Sequence, residues 1–132
     1  MSDPDLPDLL VVCLCADWCG TCRSYRATFD ALAGQYPDAA FHWVDIEDDA
    51  EWFGDLDVET FPTVLIQRAD AVLFFGPVLP QPVHLQRTLA TLGALGDEET
   101  RTYAAGDAQR RARQQIGDVR EVLRRRARHG GA

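Results

Sequence analysis

No lysine occurs anywhere in this 132-residue chain, so all thirteen basic side chains are arginines. That is a trait of composition and carries no mechanism. No apolar run approaches the length of a membrane span. The first residues, Met1-Ser2-Asp3-Pro4-Asp5-Leu6-Pro7-Asp8, lack both the basic flank and the apolar core of a secretory signal. Their absence leads us to expect a cytoplasmic protein. Cysteine is missing everywhere except Cys13, Cys15, Cys19 and Cys22. A secreted disulfide scaffold spreads its cysteines along the chain, whereas one tight cluster points to redox or metal chemistry in a reducing compartment. An excess of positive charge is also lacking. Residues 1–96 carry fifteen Asp/Glu against four Arg, and residues 97–132 carry six against nine, a body of −11 and a tail of +3. The acidic body argues against nucleic acid as a partner. With 46% hydrophobic and 26% charged residues, the chain has the composition of a globular domain and not of a disordered one.

The feature that carries chemistry is Ala16-Asp17-Trp18-Cys19-Gly20-Thr21-Cys22-Arg23. It follows the apolar run Leu9–Leu14 and precedes a helical segment, which sets Cys19 at a helix N-terminus. Unpaired N–H groups and the positive end of the helix dipole meet there and favour thiolate over thiol. The thiolate is the form that attacks a disulfide. Cys22 lies one turn further on, close enough to close an intramolecular disulfide with Cys19 and release a mixed-disulfide partner.

Patterning predicts strands over 8–15, 40–46, 62–67 and 71–75, the last two forming a hairpin through Arg68-Ala69-Asp70. Helices are predicted from about Gly20 to Gln35, briefly within Asp48–Leu56, and from about Gln81 to Leu92. Internal repeats are absent. The segment after Asp97 is polar and Arg-rich, with Ala105, Ala108, Ala112, Ile116, Val119, Leu123 and Ala127 forming one narrow apolar stripe. It reads as a long helix with breaks near Gly106 and Gly117, since glycine weakens a helix by about 1 kcal/mol relative to alanine. A domain over 1–95 and a helical extension over 96–132 are therefore expected.

From Leu9 to Leu95 the chain resembles the thioredoxin family. The match includes Ala-x-Trp-Cys-Gly-x-Cys at 16–22, Val44-Asp45-Ile46-Glu47, Phe61-Pro62-Thr63 and Gly76. The resemblance implies an α/β thioredoxin fold, a central mixed sheet flanked by helices. It implies Cys19 as the attacking thiol and Cys22 as the buried resolving thiol. The redox-active group is then the Cys19–Cys22 disulfide, with no other cofactor and no metal. Pro62 corresponds to the family's cis-proline, leaving the backbone of Phe61 free to pair with an extended substrate. Trp18, Gly20, Thr21, Phe61, Pro62, Gly76 and Pro77 belong to the redox loop and the substrate-binding patch. Protein disulfides are the implied substrates, and a reductase or other electron donor the implied recycling partner.

Three departures stand out. Where the family commonly buries an aspartate that shuttles the resolving thiol's proton, this chain has Cys13, and a neutral buried cysteine is a poor base. Thr21 replaces the usual proline between the cysteines. Only seven residues precede the first predicted strand, so the family's opening strand and helix are expected to have no counterpart here. That uncovers a sheet face and a strand edge, which the C-terminal helix is placed to cover.

Other readings remain open at this stage. Cys19 and Cys22 also fit a pair of small buried residues. Cys13 and Cys15 alternate on one strand face and suit small core residues, although four cysteines are also a legitimate zinc or iron–sulfur ligand set. His42, His84 and His129 carry no motif. The acidic run Asp45–Glu51 lacks the spacing of a calcium loop and suits a solvated helix start. Arg124, Arg125, Arg126 and Arg128 suit a charged helix face or a phosphate or acidic partner. The expected activity is thiol–disulfide exchange that reduces protein disulfides. The rival is a non-catalytic interaction module that binds through the Arg-rich helix, whose stripe would also serve a homodimer.

Overall fold

The computed structural model describes every residue except 1–8, 17, 54–55, 57, 59 and 131–132, and the side chains of 129–130. The acidic start of the chain, Asp17 and the side chain of His129 lie outside the described residues, as does whatever precedes the first strand. Four strands are described: β1 (Leu9–Cys15), β2 (Ala39–Asp45), β3 (Thr63–Arg68) and β4 (Ala71–Pro77). They form one mixed sheet in the order β2-β1-β3-β4. β1 runs parallel to β2 and antiparallel to β3, and β3 is antiparallel to β4. The helix α1 (Gly20–Gln35) makes the parallel crossover, α2 (Ala50–Phe53) is a single turn, and α3 (Pro82–Leu92) follows the hairpin.

Side-chain alternation on β1 divides the core in two. Leu9, Val11, Cys13 and Cys15 pack with Tyr25, Phe29 and Leu32 of α1 and with Leu85, Leu89 and Leu92 of α3. Leu10, Val12 and Leu14 face the other way, with Val44, Phe53, Leu65 and Val72. Such a strand, buried on both faces, reads as a continuous apolar run, and the sequence shows one.

Beyond Leu95 the chain forms α4 (Asp97–Ala104), α5 (Ala108–Arg113), a 3₁₀ turn over Gln114–Ile116, and α6 (Val119–Gly130). The breaks fall at Gly106 and Gly117, as the composition suggests. Gly117 has φ +86°, a conformation that side-chain-bearing residues avoid. These breaks rotate the segments relative to one another, so the predicted stripe does not run as one buried face. Ala105, Ala108 and Ala112 are exposed, while Val119 and Leu123 are buried against Leu10, Val12 and Leu14. The C-terminal segment thus covers the second sheet face, as anticipated, through its last helix and through Ile116 of the 3₁₀ turn.

Polar groups fix that helix in place. The side chain of Gln67 on β3 is wholly buried. Its amide accepts from the Val119 N–H at 3.0 Å and donates to the Ala69 carbonyl at 2.7 Å and to Asp118. Gln114 accepts from the Val72 N–H at 2.9 Å and donates to the Val72 carbonyl at 2.8 Å. One side-chain amide therefore stands in for a neighbouring strand on the outer edge of β4. Arg113 donates to the Leu73 carbonyl at 3.2 Å.

Candidate functional site

The site grows from the join of β1 to α1. Cys15 ends the strand, Cys19 is the N-cap of α1, and Cys22 sits in its first turn on the inward face. The Cys19 N–H bonds back to the Ala16 carbonyl at 3.0 Å, which tightens the turn. Cys19 is a free thiol, half-buried at the border of the core cluster that contains the other three cysteines.

Cys22 is not bonded to Cys19. Its disulfide partner is Cys15, across the strand–helix join, with the two Cα atoms 5.8 Å apart. Both members are essentially inaccessible. The structure thus differs from the expected Cys19–Cys22 pairing in which cysteine holds Cys22, while all three residues meet at one place. Reading from the sequence missed Cys15 because alternation on a strand says nothing of how the following turn folds back. The remaining cysteine, Cys13, is a buried free thiol 4.0 Å from the Cys15 sulfur. Burial pushes the Cys13 thiol up to about 12, with the Arg26 guanidinium pulling weakly the other way. Cys13 is therefore held protonated and cannot act as a base at neutral pH. Beside it the Tyr25 phenol is also pushed up to about 12, by burial first and by Cys13 second. Its hydroxyl is buried without a hydrogen-bond partner among the described residues.

Of the residues expected from the sequence, Trp18 and Phe61 meet beside the Cys19 turn. Trp18 is 62% exposed, and its indole N–H donates to Glu47 at 2.9 Å. The Trp18 and Phe61 rings meet edge-on with centroids 5.5 Å apart. This contact joins the cysteine loop to the loop before β3. The Phe61–Pro62 peptide bond is cis, as the resemblance implies. Gly76 and Pro77 lie on β4 opposite Val64 and Thr63, next along the chain from Pro62. Gly20 and Thr21 are exposed and open a shallow groove that runs along Ser24 and Thr28 to Pro80. The role of Glu47 as the indole's partner was not read from the sequence, although Glu47 closes the Val-Asp-Ile-Glu run that marks the end of β2. No cluster of ligating side chains suited to a metal ion occurs among the described residues.

A cysteine-bearing strand–helix turn, joined through the Trp18–Phe61 contact to a loop with a cis-proline, on a mixed sheet with helices on both faces, defines a thioredoxin-like α/β protein. The chain belongs to the thioredoxin family: a family model described as Thioredoxin matches residues 5–74. Among known proteins it is similar to thioredoxin H2-1 of Oryza sativa subsp. japonica, with 37% identity over 60 residues, 46% of this chain and 44% of that protein. The putative thioredoxin H10 of Arabidopsis thaliana is 40% identical over 60 residues, covering 46% and 39% respectively. The chain thus spans less than half the length of these curated relatives. Of solved structures, Fasciola hepatica thioredoxin superposes with a TM-score of 0.59 at 25% identity, covering 66% of this chain and 83% of its own. Thioredoxin from Trypanosoma brucei brucei superposes with a TM-score of 0.57 at 26% identity, covering 66% and 76%.

Proposed function

We propose that this protein is a thiol–disulfide oxidoreductase that reduces protein disulfides through Cys19 and Cys22. The observation that carries the reading is the half-buried free thiol of Cys19 at the mouth of a turn whose inner sulfur, on Cys22, already takes part in a disulfide. Cys19 as thiolate attacks one sulfur of a substrate disulfide and expels the other as a thiolate. The Cys22 thiolate then attacks the Cys19 sulfur, releases the second substrate thiol and leaves the protein oxidised. Trp18 and Phe61 offer an apolar platform beside Cys19, and the Phe61 backbone offers an edge for an extended substrate segment. A reductase or other dithiol donor returns the protein to its reduced form. One tight cysteine cluster, in place of a disulfide scaffold spread along the chain, suits a cytoplasmic setting, where reduction is the favoured direction.

One observation favours the rival reading of a binding module: the protonated Cys13 supplies no base for the resolving step. Against it, the C-terminal arginines are engaged within the chain. Arg126 pairs with Asp49 at 2.9 Å, and Arg128 donates to Glu121. Catalysed reduction of insulin by the wild type, Cys19→Ser and Cys22→Ser decides between them. Turnover should fall to background in both variants, and Cys22→Ser alone should accumulate a mixed disulfide on Cys19. A wild type that does not turn over where an ordinary thioredoxin does would move the assignment to the binding module.

A further inference from the structure

Cys22 has a single sulfur and two partners within reach. Cys19 lies one helical turn before it, and Cys15 lies across the join with its Cα at 5.8 Å, inside the range a disulfide spans without backbone movement. The Cys15–Cys22 bond is buried beneath α1, with 0% and 1% of the two residues accessible. No protein disulfide can reach either sulfur directly, so a bond there must be delivered from inside the molecule. The only cysteine of the cluster with access to solvent is Cys19.

We propose that Cys15 is a third exchange-active cysteine, which takes the disulfide over from Cys19–Cys22 and stores it as Cys15–Cys22. In this step the Cys15 thiol loses its proton and its sulfur bonds to the Cys22 sulfur. The Cys19–Cys22 bond breaks, and Cys19 leaves as the thiolate that accepts the proton. One disulfide exists before and after, so no oxidant is consumed. Direction follows from solvation. The step removes an ionisable thiol from a site where a thiolate is unsolvated and returns one to the half-exposed helix start. Cys13 takes no part in the bond: it stays a free thiol, with its sulfur 4.0 Å from the Cys15 sulfur.

The consequence is a third redox form. The fully reduced protein has Cys19 with Cys22 ready to resolve. The Cys15–Cys22 form also has Cys19 free, yet no resolving thiol. A mixed disulfide formed on Cys19 in that state persists until an outside thiol removes it. Stored oxidation thereby turns a releasing dithiol into a retaining monothiol, toward disulfide-bearing proteins and small disulfides alike. This inference rests on the reading of Cys19 as the first attacking thiol, and not on which disulfide it meets.

The test starts from fully reduced wild type and an equimolar amount of the aryl disulfide DTNB. Samples are acid-quenched over time, blocked with N-ethylmaleimide in urea, reduced, labelled with iodoacetamide and mapped by tandem mass spectrometry. Early samples should carry maleimide on Cys13 and Cys15, and late samples on Cys13 and Cys19, with no further release of aryl thiolate between them. In Cys15→Ser and Cys15→Ala the Cys19–Cys22 bond should persist to the end, with maleimide on Cys13 alone. The wild-type time course needs neither variant to fold. Maleimide that stays on Cys15 to the end of the wild-type course overturns the proposal. Insulin turnover in the same preparation separates the two readings. Turnover with the pattern frozen at Cys19–Cys22 overturns the third cysteine and leaves the oxidoreductase standing. The late pattern without turnover supports the internal transfer and removes the oxidoreductase.

Discussion

Four cysteines within ten residues hold three different chemical situations, and burial decides among them. Cys13 is the extreme case. Its thiol is raised from 9.0 to about 12, chiefly because the surrounding core cannot solvate a thiolate. A group whose neutral form is favoured in the fold stabilises it below the unfolded value and loses that contribution as pH rises from about 9 to 12. Tyr25 carries the same sign, with its value raised from 10.0 to about 12. The melting temperature of the wild type should therefore fall between pH 8 and 11, and that of Cys13→Ala should fall less. Identical slopes would show that Cys13 does not contribute. Trp18 illustrates the opposite situation. It is 62% exposed, so Trp18→Ala should change stability by no more than about 0.5 kcal/mol. The loss of its apolar ring beside Cys19 should instead raise KM for insulin severalfold. A variant with unaltered KM and a lowered melting temperature would make Trp18 a packing residue.

At the scale of elements, the strands and helices up to Leu92 follow from local patterning, and α1 spans Gly20–Gln35, the range predicted for it. What patterning left out is how distant elements are joined. The second sheet face is sealed by Val119 and Leu123, but the register of α6 is set by Gln67, some fifty residues earlier. A glutamine in an apolar strand has no periodicity to betray its partner. The same limit hid the Cys15–Cys22 pair: each residue's element was legible, while the closeness of a strand end to a helix start depends on how tightly residues 16–19 turn. Trp18, Phe61 and Pro62 were legible as a candidate site because they stand at the spacing of the family motif. Gln67→Ala tests the joint directly. It leaves the Val119 N–H and the Ala69 carbonyl without their partner, which should cost about 1–3 kcal/mol. Urea unfolding should show the unfolding free energy lowered by that amount, and a cost below about 0.5 kcal/mol would mean that α6 is held by its apolar contacts alone.

For the whole molecule, an acidic body and a basic tail are folded against each other. Deleting residues 98–132 removes Val119 and Leu123, each contributing about 1.5–3 kcal/mol of burial, from a total stability of about 5–15 kcal/mol. It also bares Leu10, Val12 and Leu14, which are fully buried in the intact chain. The truncated protein should aggregate or bind a hydrophobic dye, and an unchanged melting temperature and solubility would dismiss the tail as a cover. The tail also brings its charge to one titratable group. His42 on β2 shares the parity of Ala40 and Val44, which places it on the face that α6 covers. Its value is lowered from 6.5, first by burial and then by the positive fields of Arg126 and Arg120. The folded protein thus disfavours the imidazolium that the unfolded chain accepts. The stability this contributes is present above pH 6.5 and is lost as pH falls from there through the lowered folded value. Thermal unfolding between pH 8 and 5 should show the wild type losing stability in that window, and His42→Gln should lose less. If the two profiles run parallel, the acid sensitivity belongs to other groups, and the guanidinium field of α6 does not reach β2.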